Sequence, residues 1–344
     1  MKRIRGYKYR AYPDSEQQEF FEKTFGCCRF VFNYYLDMKR SRWFEWHDNM
    51  SYSEMSSHLS HELKKEKMWL KEADSTALQQ TLRHLYGAYE NFQRKRGGYP
   101  RYKSKRSLQS YRTMNVNDSI RIDERSIRLP KAGSVKIKNT RDFDGRILSG
   151  TISKTPSGGY YISLQVEEEY EVLPNKGGKT GLDAGLKSLY TDSNGETVAN
   201  PRTLVKHEKK IKRLQRRLSR KKKESKNSEK ARIRLAREHE KVTDIRNDFQ
   251  HKVTHRLAKS ISDASWSGFY RKLEYKMEDH GGTLVRVPRT YPSSQLCSCC
   301  GYQNREVMDL SIRAWRCPEC GAEHDRDVNA AVNILRKGME ILAA

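Results

Sequence analysis

The chain reads Cys297-Ser298-Cys299-Cys300 and then, after sixteen further residues, Cys317-Pro318-Glu319-Cys320. Each Cys-x-x-Cys turn places two sulfurs on one side of a tight loop, and two such turns can complete the tetrahedron of a structural zinc ion. The spacing therefore predicts a zinc ribbon whose ligands are Cys297, Cys300, Cys317 and Cys320.

The alternative for these cysteines is a set of free thiols or disulfides. Only seven cysteines occur among 344 residues, and the N-terminus does not resemble a signal peptide, so a disulfide framework is disfavoured. Cys299 is an additional thiol that could compete with Cys300, but the spacing favours Cys300. Cys27 and Cys28 follow an apolar helical pattern, which predicts core positions.

Acidic residues follow the second cysteine pair directly. The octet His324-Asp325-Arg326-Asp327-Val328-Asn329-Ala330-Ala331 opens an apolar helical pattern that continues through Val332, Ile334 and Leu335. The sequence therefore predicts that a metal clip lies beside carboxylates at the start of a helix.

The composition indicates a polyanionic partner. The formal charge is +25 and the pI is near 9.7, which is typical of proteins that bind nucleic acid; a merely soluble basic surface is the alternative. No apolar run approaches the length of a membrane span, so we expect a soluble, intracellular protein with no membrane partner.

Much of the positive charge lies in one segment. Residues 202–237 contain seventeen Lys and Arg against three Glu, and their apolar residues keep a helical period. We predict two basic helices within 202–255 that break near Lys226-Asn227-Ser228, with Ser228 as N-cap. A rigid basic ridge suits a phosphate backbone, and the candidate contacts are Arg213, Arg216, Arg217, Arg220, Lys221 and Lys222.

The N-terminal half changes its periodicity twice. Residues 3–12 alternate as a strand, and residues 14–95 form helices that begin after Asp14, after Ser51 and at Asp74 or Ser75. Residues 94–106 then mix aromatic and basic side chains, which indicates stacking and phosphate contact with a single strand or RNA. The candidates are Arg101, Tyr102, Lys103, Lys105 and Arg106; a solvated basic loop is the alternative.

A period of two returns over residues 119–171 and predicts a small antiparallel barrel that strand 3–12 joins. Residues 174–179 have the composition of a linker. Residues 180–191 are predicted to form one strand that carries Asp183, followed by a turn at 192–195. A carboxylate in an apolar strand is unusual unless it binds a metal or lies at a sheet surface, so Asp183 and Asp327 form a candidate pair.

Taken together, these stretches resemble the TnpB family of transposon-encoded, RNA-guided DNA nucleases. The matching segments cover nearly the whole chain and include 25–33, 77–80, 99–106, 181–183, 214–222, 260–266, 291–297 and 324–331. The resemblance implies an α/β fold with all-β and helical parts: a RuvC-like, RNase H-type domain (174–292 and 323–344) into which a zinc ribbon (293–322) is inserted. It also implies a preceding β-barrel or wedge domain (1–13 and 97–173) with an inserted helical recognition lobe (14–96).

The resemblance also implies the partners. Members bind a guide RNA and recognise a double-stranded DNA target beside a short motif, in the prokaryotic cytoplasm at the nucleoid. By position, the candidate readers of that motif are Tyr52, Ser56, Gln79 and Asn117, for each of which ordinary surface polarity is the alternative.

One family residue is missing from this sequence. The resemblance implies three carboxylates around two metal ions, and Asp183 matches the first while Asp327 matches the third. The second is a Glu on an apolar strand after the basic helices, but here residues 251–255 run directly into 256–261. No obvious replacement exists, because Asp263 belongs to a different motif and the other nearby acids fall on predicted helices: Glu240, Asp244, Asp248, Glu274 and Glu278.

Two remaining acids should bind a pair of Mg²⁺ ions poorly, because several carboxylates are needed to offset the repulsion between the cations. We therefore expect a nuclease-dead, RNA-guided DNA-binding protein that represses transcription by occupying its target. The alternatives are an active endonuclease whose second acid comes from elsewhere in the chain, and a decayed transposon copy.

Overall fold

The computed structural model describes residues 2–139, 141–171, 179–185, 188–260, 267–288, 290–309 and 311–343, with side chains left out at 256–260, 267, 268 and 270. The chain divides into two compact units, Met1–Tyr170 and Glu171–Ala344. The predicted linker, apart from Lys179, lies outside the described residues. The division into four domains stays a prediction.

The first unit contains a seven-stranded antiparallel sheet in the order β2-β6-β7-β1-β5-β4-β3. The predicted N-terminal strand is confirmed, since β1 pairs with both β7 and β5. The strands are β1 (Lys2–Tyr12), β2 (Gln109–Met114), β3 (Arg121–Ile122), β4 (Ser126–Leu129), β5 (Gly133–Lys138), β6 (Arg146–Lys154) and β7 (Tyr160–Glu169). Strand β2 lies before residues 119–171, so the sequence pattern did not predict it.

The helices of the first unit begin at the predicted caps. Asp14 accepts a hydrogen bond from the backbone N–H of Gln17 (2.8 Å), and Ser51 caps the second helix in the same way. The elements are α1 (Ser15–Trp46), α2 (Tyr52–His58), a π-helical turn (Leu59–Leu63), α3 (Lys64–Glu66), a 3₁₀ turn (Met68–Lys71) and α4 (Ser75–Gln93).

The second unit begins with three short antiparallel strands, β8 (Leu182–Asp183), β9 (Ser188–Asp192) and β10 (Thr197–Ala199). The prediction of one strand over 180–191 is therefore wrong. Leu182 pairs with Asp192, and Asp183 pairs with Thr191, so the chain reverses between β8 and β9. The turn at 192–195 is confirmed: Gly195 has a φ of 87°, and the Asp192 carboxylate accepts the N–H groups of Asn194 and Glu196.

Three helices and a ribbon follow. The two basic helices are α5 (Thr203–Ser219) and α6 (Lys226–Ser260), and α7 covers Ser267–Asp279. The predicted cap at Ser228 is wrong, because α6 already begins at Lys226, and the Ser225 hydroxyl accepts the N–H of Ser228 (3.1 Å). A 3₁₀ turn (Arg305–Met308) precedes the hairpin of β11 (Ala314–Arg316) and β12 (Glu323–Asp325), and α8 covers Arg326–Ala343.

The small sheet of the second unit has the order β10-β9-β8. Between β10 and β11, the described part of the chain contains no further strand. The apolar core beside this sheet is formed by Leu182 and Tyr190 from the strands, Val253 from α6, and residues of α7. In the described residues, no helix is both long and apolar enough to cross a bilayer.

Candidate metal centres and nucleic-acid interface

The four predicted cysteines meet at one point. The Sγ atoms of Cys297 and Cys320 are 3.6 Å apart, and those of Cys300 and Cys317 are also 3.6 Å apart. A tetrahedron of Zn–S bonds of about 2.3 Å places its sulfurs roughly 3.8 Å from one another. These four thiols therefore have the geometry of a four-cysteine metal site, while Cys297, Cys299 and His324 form a second group that could hold a metal ion.

His324 is a neighbour of this site that the sequence reasoning missed. Its Nε2 atom lies 3.0 Å from Cys297 Sγ, and its ring packs against Trp315 with 4.8 Å between ring centroids. The side chain is buried. A hydrogen bond from this imidazole to the Cys297 thiolate would orient that ligand and offset part of the negative charge of four thiolates.

Helix α8 holds the first cysteine turn through two buried amides. Asn329 donates to the Leu296 carbonyl (2.7 Å) and accepts the N–H of Ser298 (2.9 Å). Asn333, one helical turn later, donates to the carbonyls of Ser293 (2.8 Å) and Leu296 (2.7 Å). The ribbon and the helix that begins beside Asp327 are therefore fixed to each other.

The approach of α8 to β8 brings the two acids together. A Cβ atom at Gly181 would lie 2.0 Å from the Ala331 carbonyl oxygen and 2.7 Å from the Leu335 nitrogen, so only glycine permits this contact. Burial and, secondly, the nearby carboxylate of Asp327 raise the pKa of Asp183 to about 6, whereas Arg326 opposes the shift. The charges of the two predicted acids therefore interact, and their role in metal binding stays a prediction.

A cation from the ribbon lies beside this pair. Arg313, from the ribbon, lies 3.5 Å from the carboxylate of Asp327. Among the described residues, no group of three or more acidic, histidine or cysteine donors includes Asp183 and Asp327. Asp263 lies outside the described residues, and the other acids considered from sequence lie on α6 and α7: Glu240, Asp244, Asp248, Glu274 and Glu278.

The basic helices form an antiparallel pair that is held by one buried acid. Glu238 on α6 contacts His207 Nδ1 (2.6 Å) and Lys210 Nζ (2.5 Å) on α5. The six residues predicted to contact a phosphate backbone are all exposed, and in the described structure none of them has an acidic partner: Arg213, Arg216, Arg217, Arg220, Lys221 and Lys222. We call these six residues the basic ridge.

Three of the four predicted motif readers lie together. The Gln79 side-chain oxygen accepts hydrogen bonds from Ser56 Oγ (2.9 Å) and Tyr52 Oη (3.3 Å), and the Arg83 guanidinium lies 4.9 Å from the centre of the Tyr52 ring. Asn117 has a φ of 50° and lines a separate cavity. The cluster has the donors and acceptors of a base-reading surface, but its role stays a prediction.

The aromatic and basic segment is partly bound to α1. Tyr102 Oη donates to the Asp37 carboxylate, and the backbone of Lys103 exchanges two hydrogen bonds with the Asn33 side chain. The Lys103 ammonium lies 4.1 Å from the Phe32 ring centre, and burial lowers its pKa. Among the candidate contacts of this segment, Arg101, Lys105 and Arg106 are exposed cations.

Comparisons with known proteins show which family this chain belongs to. Family models match as "Probable transposase" over residues 161–265, as "Cas12f1-like, TNB domain" over 266–334 and as "Helix-turn-helix domain" over 1–46. A protein of Streptomyces pristinaespiralis named "Putative RNA-guided DNA endonuclease" is 36% identical over 97% of this chain and 89% of its own length. The chain therefore belongs to the TnpB family, also called IS605 OrfB.

Two further comparisons concern length and fold. The Escherichia coli "Putative RNA-guided DNA endonuclease InsQ" is 33% identical over 386 aligned positions that include all of this chain and 94% of the relative. Because this chain has 344 residues, about forty residues of the relative are aligned with gaps in this chain. A solved Cas12f1–sgRNA–target DNA complex contains a chain of the same fold, with a TM-score of 0.58, 11% identity, and coverage of 97% of this chain and 98% of that chain.

Proposed function

We propose that this chain binds a guide RNA and a double-stranded DNA target, and that it occupies the target without cutting it efficiently. The observation that carries the proposal is the acid pair: Asp183 and Asp327 interact, yet no third carboxylate among the described residues joins them. In-line hydrolysis with two metal ions needs more ligands than these two side chains provide.

The binding surfaces support the first half of the proposal. The basic ridge presents six exposed cations without acidic partners in the described structure, and such a surface releases counterions when it contacts phosphates. The cluster of Tyr52, Ser56 and Gln79 would read the short DNA motif, together with Asn117. The relatives are named as RNA-guided endonucleases, and we extend the RNA-guided part of that description to this chain.

The loss of efficient cutting is supported by chain length and topology. About forty positions of the Escherichia coli relative have no counterpart here, and the described residues form no strand between β10 and β11. We propose that the strand carrying the second acid is among the deleted positions, and that target occupancy represses transcription. A structural Zn²⁺ ion would be held by Cys297, Cys300, Cys317 and Cys320.

The test begins with RNA that copurifies with the full chain from its native host, because its sequence defines the guide and hence the target. The loaded complex is then mixed with plasmid carrying that target, and binding is followed by gel shift while cleavage is followed in Mg²⁺. We expect a target-dependent shift, and cleavage slower by roughly 10²- to 10³-fold than that of the Escherichia coli relative loaded with its own guide and target. Efficient cutting that Asp183→Ala abolishes would refute the proposal.

A second candidate function is an active endonuclease. It is favoured by the preserved proximity of Asp183 and Asp327, whose mutual repulsion a bound divalent cation would relieve. In this case Asp183→Ala abolishes cleavage, whereas under the first proposal the same substitution leaves binding and repression unchanged.

A further inference from the structure

Two metal-binding side chains beside the ribbon take no part in the four-cysteine site. Cys299 and His324 form a second group with Cys297, and the ligand atoms of these three residues lie within 4.8 Å of one another. In the described structure, neither Cys299 nor His324 shares such a group with any other cysteine. Cys297 is therefore the one ligand that both groups share.

A hydrogen bond explains only part of this second group. The His324 Nε2 atom lies 3.0 Å from the Cys297 Sγ atom, which is within hydrogen-bond distance. That bond does not need a third donor, yet the Cys299 thiol converges on the same two atoms. Two sulfurs and one imidazole at one point are donors that zinc prefers. Cys299 is exposed whereas Cys297 and His324 are buried, so the group opens to solvent on one side.

The three donors match a zinc site that has an open position. Two thiolates and one imidazole, with water as the fourth ligand, are one of the ligand sets that bind Zn²⁺ in proteins. Zn–S bonds of about 2.3 Å and Zn–N bonds of about 2.0 Å place a sulfur and a nitrogen of a tetrahedron roughly 3.5 Å apart. The separation of 3.0 Å between Cys297 and His324 is slightly shorter, and a small rotation of the imidazole corrects this difference.

The charge of the four-cysteine site favours a second cation beside it. Four thiolates and one Zn²⁺ ion carry a formal charge of about −2, and a metal-bound thiolate keeps lone pairs with which it can bridge to another ion. A second Zn²⁺ ion together with the Cys299 thiolate changes this formal charge to about −1. Binding displaces the thiol proton of Cys299 and requires His324 to carry its ring proton on Nδ1, so that the Nε2 lone pair is free for the metal.

We propose that Cys297, Cys299 and His324 bind a second Zn²⁺ ion, which the Cys297 thiolate bridges to the ion of the four-cysteine site. Water would occupy the fourth position, on the side at which Cys299 is exposed. Because it has only three protein ligands, the second ion would bind more weakly than the first and would exchange with free zinc in solution. This inference rests on the zinc site of the proposed function and is independent of nucleic-acid binding.

The experiment loads the purified full chain with one equivalent of Zn²⁺, removes unbound metal, measures the zinc content and then titrates the chain with Co²⁺. Co²⁺ bound to thiolates shows charge-transfer absorption, whereas Co²⁺ at surface carboxylates does not. The variants are Cys299→Ser and His324→Gln. A Gln side chain can still donate a hydrogen bond to Cys297, so this variant distinguishes a metal ligand from a hydrogen-bond donor. His61→Gln, at an exposed histidine of the first unit, is the matched control.

We expect the zinc-loaded wild type to bind one Co²⁺ ion per chain with thiolate charge-transfer absorption. Cys299→Ser and His324→Gln should each bind this ion roughly 10- to 100-fold more weakly, the range for a lost interaction at a metal site. His61→Gln should titrate like the wild type. The zinc that each variant retains before Co²⁺ is added shows that its ribbon is still folded.

A wild-type chain that retains one zinc and shows no thiolate absorption with Co²⁺ would overturn the second site alone, as would an unchanged titration of Cys299→Ser. A loss confined to Cys299→Ser would overturn His324 as a ligand and leave it as a hydrogen-bond donor to Cys297. A wild-type chain that retains no zinc would contradict the four-cysteine site itself, and with it the bridge through Cys297.

Discussion

Replacing Asp183 by Asn should stabilise the metal-free second unit at neutral pH. Burial, with the repulsion of Asp327 added to it, raises the pKa of Asp183 from its ordinary 3.8 to about 6. An acid whose folded pKa exceeds its unfolded pKa binds its proton more tightly in the folded state. Its contribution to stability is therefore complete below pH 4 and is lost as the pH rises through 6.

The magnitude follows from the shift. A shift of two pKa units corresponds to about 3 kcal/mol. Above pH 6, ionised Asp183 therefore lowers the free energy of unfolding by about this amount. An Asn side chain does not ionise, so Asp183→Asn should be more stable than the wild type by about 2–3 kcal/mol at pH 7.5, and the difference should vanish near pH 4.

The assay should observe the second unit separately, because the chain divides into two compact units. Hydrogen exchange of peptides that contain β8 and β9 reports the free energy of opening at that site. Asp244→Asn on the exposed face of α6 is the control, and it should change exchange at β8 very little. Equal stability of Asp183→Asn and wild type at both pH values would refute the account of a buried, repelled carboxylate.

Repeating the stability measurement with added Mg²⁺ tests whether the acid pair binds a cation. If the acid pair still binds one divalent cation, added Mg²⁺ should stabilise the wild type, because the cation favours the ionised form of Asp183, and it should not stabilise Asp183→Asn. An identical response of both proteins would show that the pair holds no cation at the concentration used.

Three further changes test the site. Gly181→Ala should destabilise the second unit by about 1–3 kcal/mol through the clash with the α8 backbone, whereas Gly338→Ala on the same helix should be neutral or stabilising in thermal unfolding. Cys300→Ser should lower zinc affinity by more than tenfold in chelator competition, while Cys299→Ser should retain one zinc per chain. Replacing the ridge residues Arg213, Arg216, Arg217 and Arg220 by Gln should reduce the slope of log K against log salt for RNA binding by about 3. The controls are Lys212, Arg232 and Lys252, which already have acidic partners. Replacing these controls should reduce the slope by less per residue.

Local chemistry made parts of this structure predictable from sequence. The caps at Asp14 and Ser51 need only the residue types within one helical turn, and both are present. The cysteine spacing likewise specifies a metal site without knowledge of the rest of the fold. Residue types alone mark Asp183 and Asp327 as a candidate pair, but 144 positions of chain separate them, and only the family resemblance gives the pair a role.

Other features depend on distant partners and were therefore missed. Asn329 and Asn333 have no special local signal, and the groups they bond lie more than 30 residues earlier in the chain. The convergence of Cys299 with His324 is visible only when the fold of the ribbon is known. The error at residues 180–191 has a local cause, since Ala184-Gly185 offers a turn that the apolar pattern on both sides conceals.

Two segments of the second unit have fewer strand neighbours in the described structure than their sequences predict. Residues 283–287 (Thr-Leu-Val-Arg-Val) have the composition of a strand, yet they belong to no ladder among the described residues. Among the residues that the structure describes, strand β8 likewise pairs only with β9, which agrees with the deletion that we propose. Asp183 lies next to the contact between Gly181 and α8, the helix that begins beside Asp327, and the charges of the two acids interact. The same helix holds the ribbon through Asn329 and Asn333, so the deletion that we propose would remove a carboxylate and leave the ribbon and this helix assembled.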